Sequence, residues 1–174
     1  MKRVLILVAV ILLLAGCDMS HTNSLETSDQ SQKETTTEVT TTIKKEVVLV
    51  DQDGIKITCS GMSLINYLPE QPEAIALYVH LTIENNSANN ITVYPKDSSV
   101  NGVMKLAGAA MPFAVLSGKK LVSSFFFGNL EGTGITSVDQ LDQVKEVEFR
   151  LWVVNTDTHK DLFETELLKV APQT

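Results

Sequence analysis

From Ile75 to Glu84 a large aliphatic residue stands at every second position: Ile75, Leu77, Val79, Leu81 and Ile83 share one face, and Tyr78, His80, Thr82 and Glu84 share the other. Successive side chains of a strand point to opposite faces, whereas a helix would scatter this set around its whole circumference. The segment is therefore committed to a strand with one face in a core, and its length predicts a central position. Asn85-Asn86-Ser87-Ala88-Asn89-Asn90 closes it, with asparagines that tolerate positive φ.

The same period recurs along the chain. Ile55-Lys56-Ile57-Thr58-Cys59-Ser60 alternates, and Asp51-Gln52-Asp53-Gly54 before it is a turn of the Asp-Gly kind that joins hairpin strands. Ile91-Thr92-Val93 returns as a strand that Pro95 is expected to end. Asn101-Gly102 is a second tight turn, Lys119 to Phe127 a further strand and Glu131-Gly132-Thr133-Gly134 a loop. Val147 to Val153 alternates again and turns at Asn155-Thr156-Asp157 into a last strand near Asp161 to Val170, while Ser137 to Val144 offers a turn or two of helix. Many short strands at turn spacing, antiparallel by their short loops, predict an all-β fold, an antiparallel β-sandwich. A small closed barrel shares this periodicity and stands as the alternative.

The amino terminus has a different grammar. Lys2 and Arg3 precede an apolar run from Val4 to Ala15, which is the pattern of a secretory signal peptide. A spanning helix needs roughly 20 apolar residues, so this run is too short for a permanent span. Leu14-Ala15-Gly16-Cys17 resembles the lipobox of bacterial lipoproteins. The resemblance implies removal of residues 1–16, a diacylglyceryl group on the Cys17 sulfur and acyl chains at the new terminus, with the chain held on the outer side of the cell membrane. In a Gram-negative envelope Asp18 would resemble an inner-membrane retention signal; in a Gram-positive one it carries no such message.

Residues 17–44 are the lipidated Cys17 followed by a Thr/Ser/Glu-rich stretch, including Glu34-Thr35-Thr36-Thr37-Glu38-Val39-Thr40-Thr41-Thr42. Such a composition buries too little surface to offset its ordering entropy, and it predicts a disordered tether with a reach of roughly 30 Å. Apolar density rises at Glu46, which places one folded domain at residues 45–174.

In that domain ten Lys and Arg stand against sixteen Asp and Glu, a net charge of −6. An acidic surface without basic–aromatic clusters argues against nucleic acid as a partner. Acylation of Cys17 would leave Cys59 without a disulfide partner in the chain, and its inward position on an alternating strand suits a small buried hydrophobe rather than a nucleophile. His80 and His159 stand in no catalytic pattern, and no Gly-x-Ser-x-Gly elbow, phosphate-binding loop or paired-histidine metal motif occurs. Asp51-x-Asp53-Gly54 resembles the start of a calcium loop but lacks its distal acid, and a hairpin turn explains it. No catalytic residue, metal site or cofactor is therefore expected.

Taken together, the lipobox, the Thr/Ser/Glu tether, Gly54-Ile55-Lys56-Ile57-Thr58, Ile83-Glu84-Asn85-Asn86-Ser87, Val100-Asn101-Gly102 and Ser117-Gly118-Lys119-Lys120 resemble the uncharacterised bacterial lipoproteins with a C-terminal immunoglobulin-like domain. The resemblance implies an immunoglobulin-like sandwich at the cell envelope and carries no catalytic residues with it. The function expected is a non-catalytic module for an unknown protein, peptide or envelope ligand, with a structural envelope protein and an enzyme with an unrecognised site as alternatives.

Alternation turns Phe149, Leu151 and Val153 inward, which sends Arg150, Trp152 and Val154 outward, as it does Tyr78 and His80. If the two strands are neighbours in one sheet, Tyr78, His80, Arg150 and Trp152 form an aromatic and cationic patch suited to partner binding. The competing reading has Trp152 covered by a loop such as residues 64–72, or turned inward by a bulge.

Overall fold

A computed structural model of the chain describes residues 38–41, 46–68, 70–108 and 112–172, with the backbone alone for the first stretch. All of them belong to one compact unit, residues 34–174. The expected signal peptide, the lipid site at Cys17 and the tether up to residue 37 lie outside the described residues.

The strands are β1 Glu38–Thr41, β2 Val47–Gln52, β3 Ile55–Asn66, β4 Ile75–Asn85, β5 Ile91–Val100, β6 Val103–Met104, β7 Phe113–Val115, β8 Lys119–Phe127, β9 Val147–Asn155, β10 Asp161–Glu164 and β11 Leu168–Val170. One 3₁₀ turn, Leu141–Gln143, interrupts the described pattern within the predicted stretch. Two antiparallel sheets result. The first runs β3-β4-β8, with β2 on the lower half of β3 and β1 on its upper half; the second has β9 and β5 at its centre, with β10 and β11 on one side and β6 and β7 on the other.

No ladder joins the sheets among the described residues, so the fold is a sandwich rather than a closed barrel. In chain order, β1 to β4 and β8 form one sheet, and β5 to β7 with β9 to β11 form the other. The core lies between them. Phe125 of β8 meets Phe149 of β9 edge-on, with ring centroids 5.0 Å apart, and so bridges the two layers. Cys59, Leu77, Val79, Leu81 and Ile83 are fully buried beside them, as the alternation predicts.

The hairpin turns behave as their sequences require. Asp53 and Gly54 both take positive φ (53° and 76°), as do Asn101 and Gly102 (51° and 77°), the geometry that lets a two-residue loop follow the strand twist.

Four expectations need correction. Pro95 does not end β5, which continues to Val100. On the edge away from β9, β7 pairs with Ile91–Val93 and β6 with Ser99–Val100, leaving Tyr94 to Asp97 unpaired there among the described residues. A proline without an N–H is tolerated where no ladder bond is asked of it. The tether does not extend unbroken to residue 44, because Glu38–Thr41 pairs with Met62–Ile65. Backbone bonding to a free edge of β3 supplies what the missing apolar face does not. The last strand is two, since Thr165 breaks it: its N–H donates to Leu151 O (3.0 Å), and its hydroxyl accepts from Leu151 N (2.9 Å). Finally, Val154 faces outward yet is only 5% exposed. It lies opposite Thr92, whose hydroxyl meets that of Thr156 at 2.8 Å where the β9–β10 turn folds back.

Candidate functional site

The two strands that carry the predicted patch are in different sheets. Tyr78 and His80 stand on β4 in the first, Arg150 and Trp152 on β9 in the second. Outward residues of two packed layers face opposite ways, so the four do not form one patch.

Each half has instead its own neighbours. On the first sheet Tyr78 stacks on Phe126, its cross-strand partner, with centroids 5.4 Å apart. His80 Nε2 lies 3.0 Å from Ser63 Oγ. A serine hydroxyl against an imidazole is the first contact of a nucleophile–base pair, but Ser63 is fully buried. That leaves no room for a substrate at its hydroxyl, and the pair serves to tie β3 to β4.

On the second sheet, pairing of β5 with β9 sets Tyr94 directly opposite Trp152 and Lys96 opposite Arg150. The Tyr94 and Trp152 rings are 5.1 Å apart with planes tilted by 35°. Lys96 Nζ sits 5.5 Å from the Trp152 ring and reaches Glu164 of β10 at 2.6 Å, so an ion pair spans the indole from one neighbouring strand to the other. Trp152 Nε1 donates to Asp161 Oδ1 at 3.1 Å. Arg150 Nη1 donates to Thr165 O at 3.0 Å, and its guanidinium lies 3.7 Å from Asp97 and 3.8 Å from Glu166.

Trp152 is thus half-buried by the side chains of its own sheet, not by residues 64–72 and not by a bulge into the core. Sequence reasoning misses Tyr94 and Lys96 because Pro95 reads as the strand's end. Carrying the alternation of Ile91 and Val93 through Pro95 would have placed both on the outer face.

Beyond Lys96 the surface opens into a groove of about 390 Å³ between the unpaired stretch of β5 and the segment after β6, with Pro95 and Asp97 on one side and Met104 and Leu106 on the other. Among the described residues no group of three His, Cys, Asp or Glu converges as metal ligands do, and no helix is long and apolar enough to cross a membrane. Cys59 is fully buried, and burial pushes its thiol from 9.0 up to about 11, against a smaller opposing contribution from its bond to Gly61 O. Such a thiol is protonated and unreactive at neutral pH.

No family model matches the chain, and no curated protein matches it.

Proposed function

We propose that the chain is a membrane-anchored extracytoplasmic lipoprotein, held by lipid on Cys17, that displays a non-catalytic immunoglobulin-like binding module. The family resemblance of its lipobox, tether and turns supports the compartment. The observation that carries the binding reading is the Tyr94–Trp152 pair on a solvent-facing sheet, flanked by Lys96 and Arg150. Tyr, Trp and Arg are the residues in which interface energy concentrates, and the salt bridges around them hold both cations in place.

The ligand class favoured is a protein, peptide or envelope component. The ion pairs offer hydrogen-bonding groups at the rim, and the rings offer area at low entropic cost. Cross-linking capture from solubilised membranes tests the face: Tyr94→Ala should abolish a partner that Tyr78→Ala on the opposite sheet retains. Equal capture by both variants would remove the second sheet from the binding role.

A further inference from the structure

The segment after the Asn101-Gly102 turn carries its polarity inside out. Val103, Lys105 and Ala107 are half-buried, whereas Met104 is 72% and Leu106 is 95% exposed. A strand margin on a soluble surface ordinarily turns its lysine out and its leucine in. This arrangement is built into the hydrogen bonding. Ser98, itself buried, engages both backbone polar groups of Lys105: Lys105 N donates to Ser98 O at 2.9 Å, and Ser98 Oγ donates to Lys105 O at 2.6 Å. Lys105 Nζ then reaches back to Glu131 O at 2.6 Å. With the Lys105 backbone held by Ser98 and its ammonium on Glu131 O, Met104 and Leu106 on either side of it stand open to solvent.

From this we infer that Met104 and Leu106 dock the domain on the bilayer surface, inserting into the headgroup–acyl boundary beside Lys105. The inference rests on the lipid anchor at Cys17 proposed above. Residues 18–37 separate that anchor from β1; roughly 20 residues extend at most about 70 Å. A domain of this size has a radius of gyration of about 14 Å, so the tether lets any of its faces reach the membrane while keeping it close. Two apolar side chains on an acidic domain are a weak membrane ligand alone, and confinement by the anchor is what makes the contact effective. Lys105 is the one charged residue from Val103 to Gly108, and Lys96 and Asp97 stand across the groove from it. The groove beside it, between Leu106 and Pro95, is open to admit part of a headgroup.

The test uses the lipoprotein extracted from membranes and reconstituted in vesicles of phosphatidylethanolamine and phosphatidylglycerol. Leu106→Cys is labelled with a nitrobenzoxadiazole dye, and Val122→Cys, at a β8 position 70% exposed, is the control. Both positions are open, so neither substitution removes core packing. Labelling is selective because Cys59 is buried and the Cys17 sulfur is acylated. Emission from position 106 should shift to shorter wavelength and be quenched by doxyl-lipids, while position 122 stays water-like. Water-like emission at both positions in protein that floats with the vesicles overturns the docking. A shift at 106 that doxyl-lipids do not quench and that grows with protein density assigns the face to a second copy and overturns it equally. Protein that does not float at all shows that the anchor itself is wrong, and this proposal falls with it.

Discussion

Tyr94 and Trp152 face one another across β5 and β9, 5.1 Å between ring centroids, under an ion pair from Lys96 to Glu164. Cross-strand aromatic pairs contribute about 0.5–1.5 kcal/mol beyond the area they bury. Tyr94→Ala should therefore cost about 1 kcal/mol in urea unfolding. The same change should raise iodide quenching of Trp152, the protein's single tryptophan. Unchanged quenching would mean that the tyrosine does not shield the indole.

A second prediction concerns Asn85, which is fully buried at the end of β4. Its Nδ2 donates to Asn89 O (2.8 Å) and Val115 O (3.0 Å), and its Oδ1 accepts from Ser87 N (3.1 Å) and Ser87 Oγ (2.6 Å). One side chain thus ties the β4–β5 loop to β7. Asn85→Ala leaves buried partners unsatisfied, each costing about 1–3 kcal/mol, and should destabilise the domain by at least about 2 kcal/mol. Chemical denaturation reads this directly.

For the core, Leu77→Ala should cost about 2–5 kcal/mol, since Leu77 is fully buried between the sheets. Native protein should resist thiol reagents at Cys59 until it unfolds. Fast modification under native conditions would contradict the inward orientation of β3.

The acid limb of stability should depend on Glu148. Lys169 Nζ at 2.6 Å, with Ser99 Oγ donating at 2.9 Å, holds its carboxyl below the usual 4.5. A lowered folded value means that this contribution is complete above the ordinary carboxylate range and is lost as pH falls through the folded value. Lys169 is raised above 10.5 by its bonds to Glu148 and Glu146, so its share is complete below that value and is lost only in strong base. Melting temperatures of Glu148→Gln should consequently fall less steeply below about pH 5 than those of the wild type.

Much of the architecture was legible because burial writes itself in period two. The alternations of Ile55–Ser60, Ile75–Glu84 and Val147–Val153 became central or inner strands with the expected faces, and Asp53-Gly54 and Asn101-Gly102 became the expected turns. Strand neighbours were not legible, because alternation along one strand says nothing of which strand lies beside it. Tyr78 and Trp152 accordingly meet in one patch only if their strands are neighbours, and Tyr94 goes unread because Pro95 looks like the strand's end. Local punctuation also misled where tertiary context overrode it: Pro95 is tolerated at an unpaired edge, and Glu38–Thr41 pairs with the backbone of β3. Amide exchange should show protection within Glu38–Thr41.

The central proposal is that lipid on Cys17 holds this sandwich on the extracytoplasmic side of the membrane, and intact mass spectrometry of the membrane-extracted protein tests it most directly. The account predicts a chain that begins at Cys17 and carries a diacylglyceryl group on its sulfur. A membrane-extracted chain that retains residues 1–16, or that begins elsewhere and bears no lipid, would contradict it.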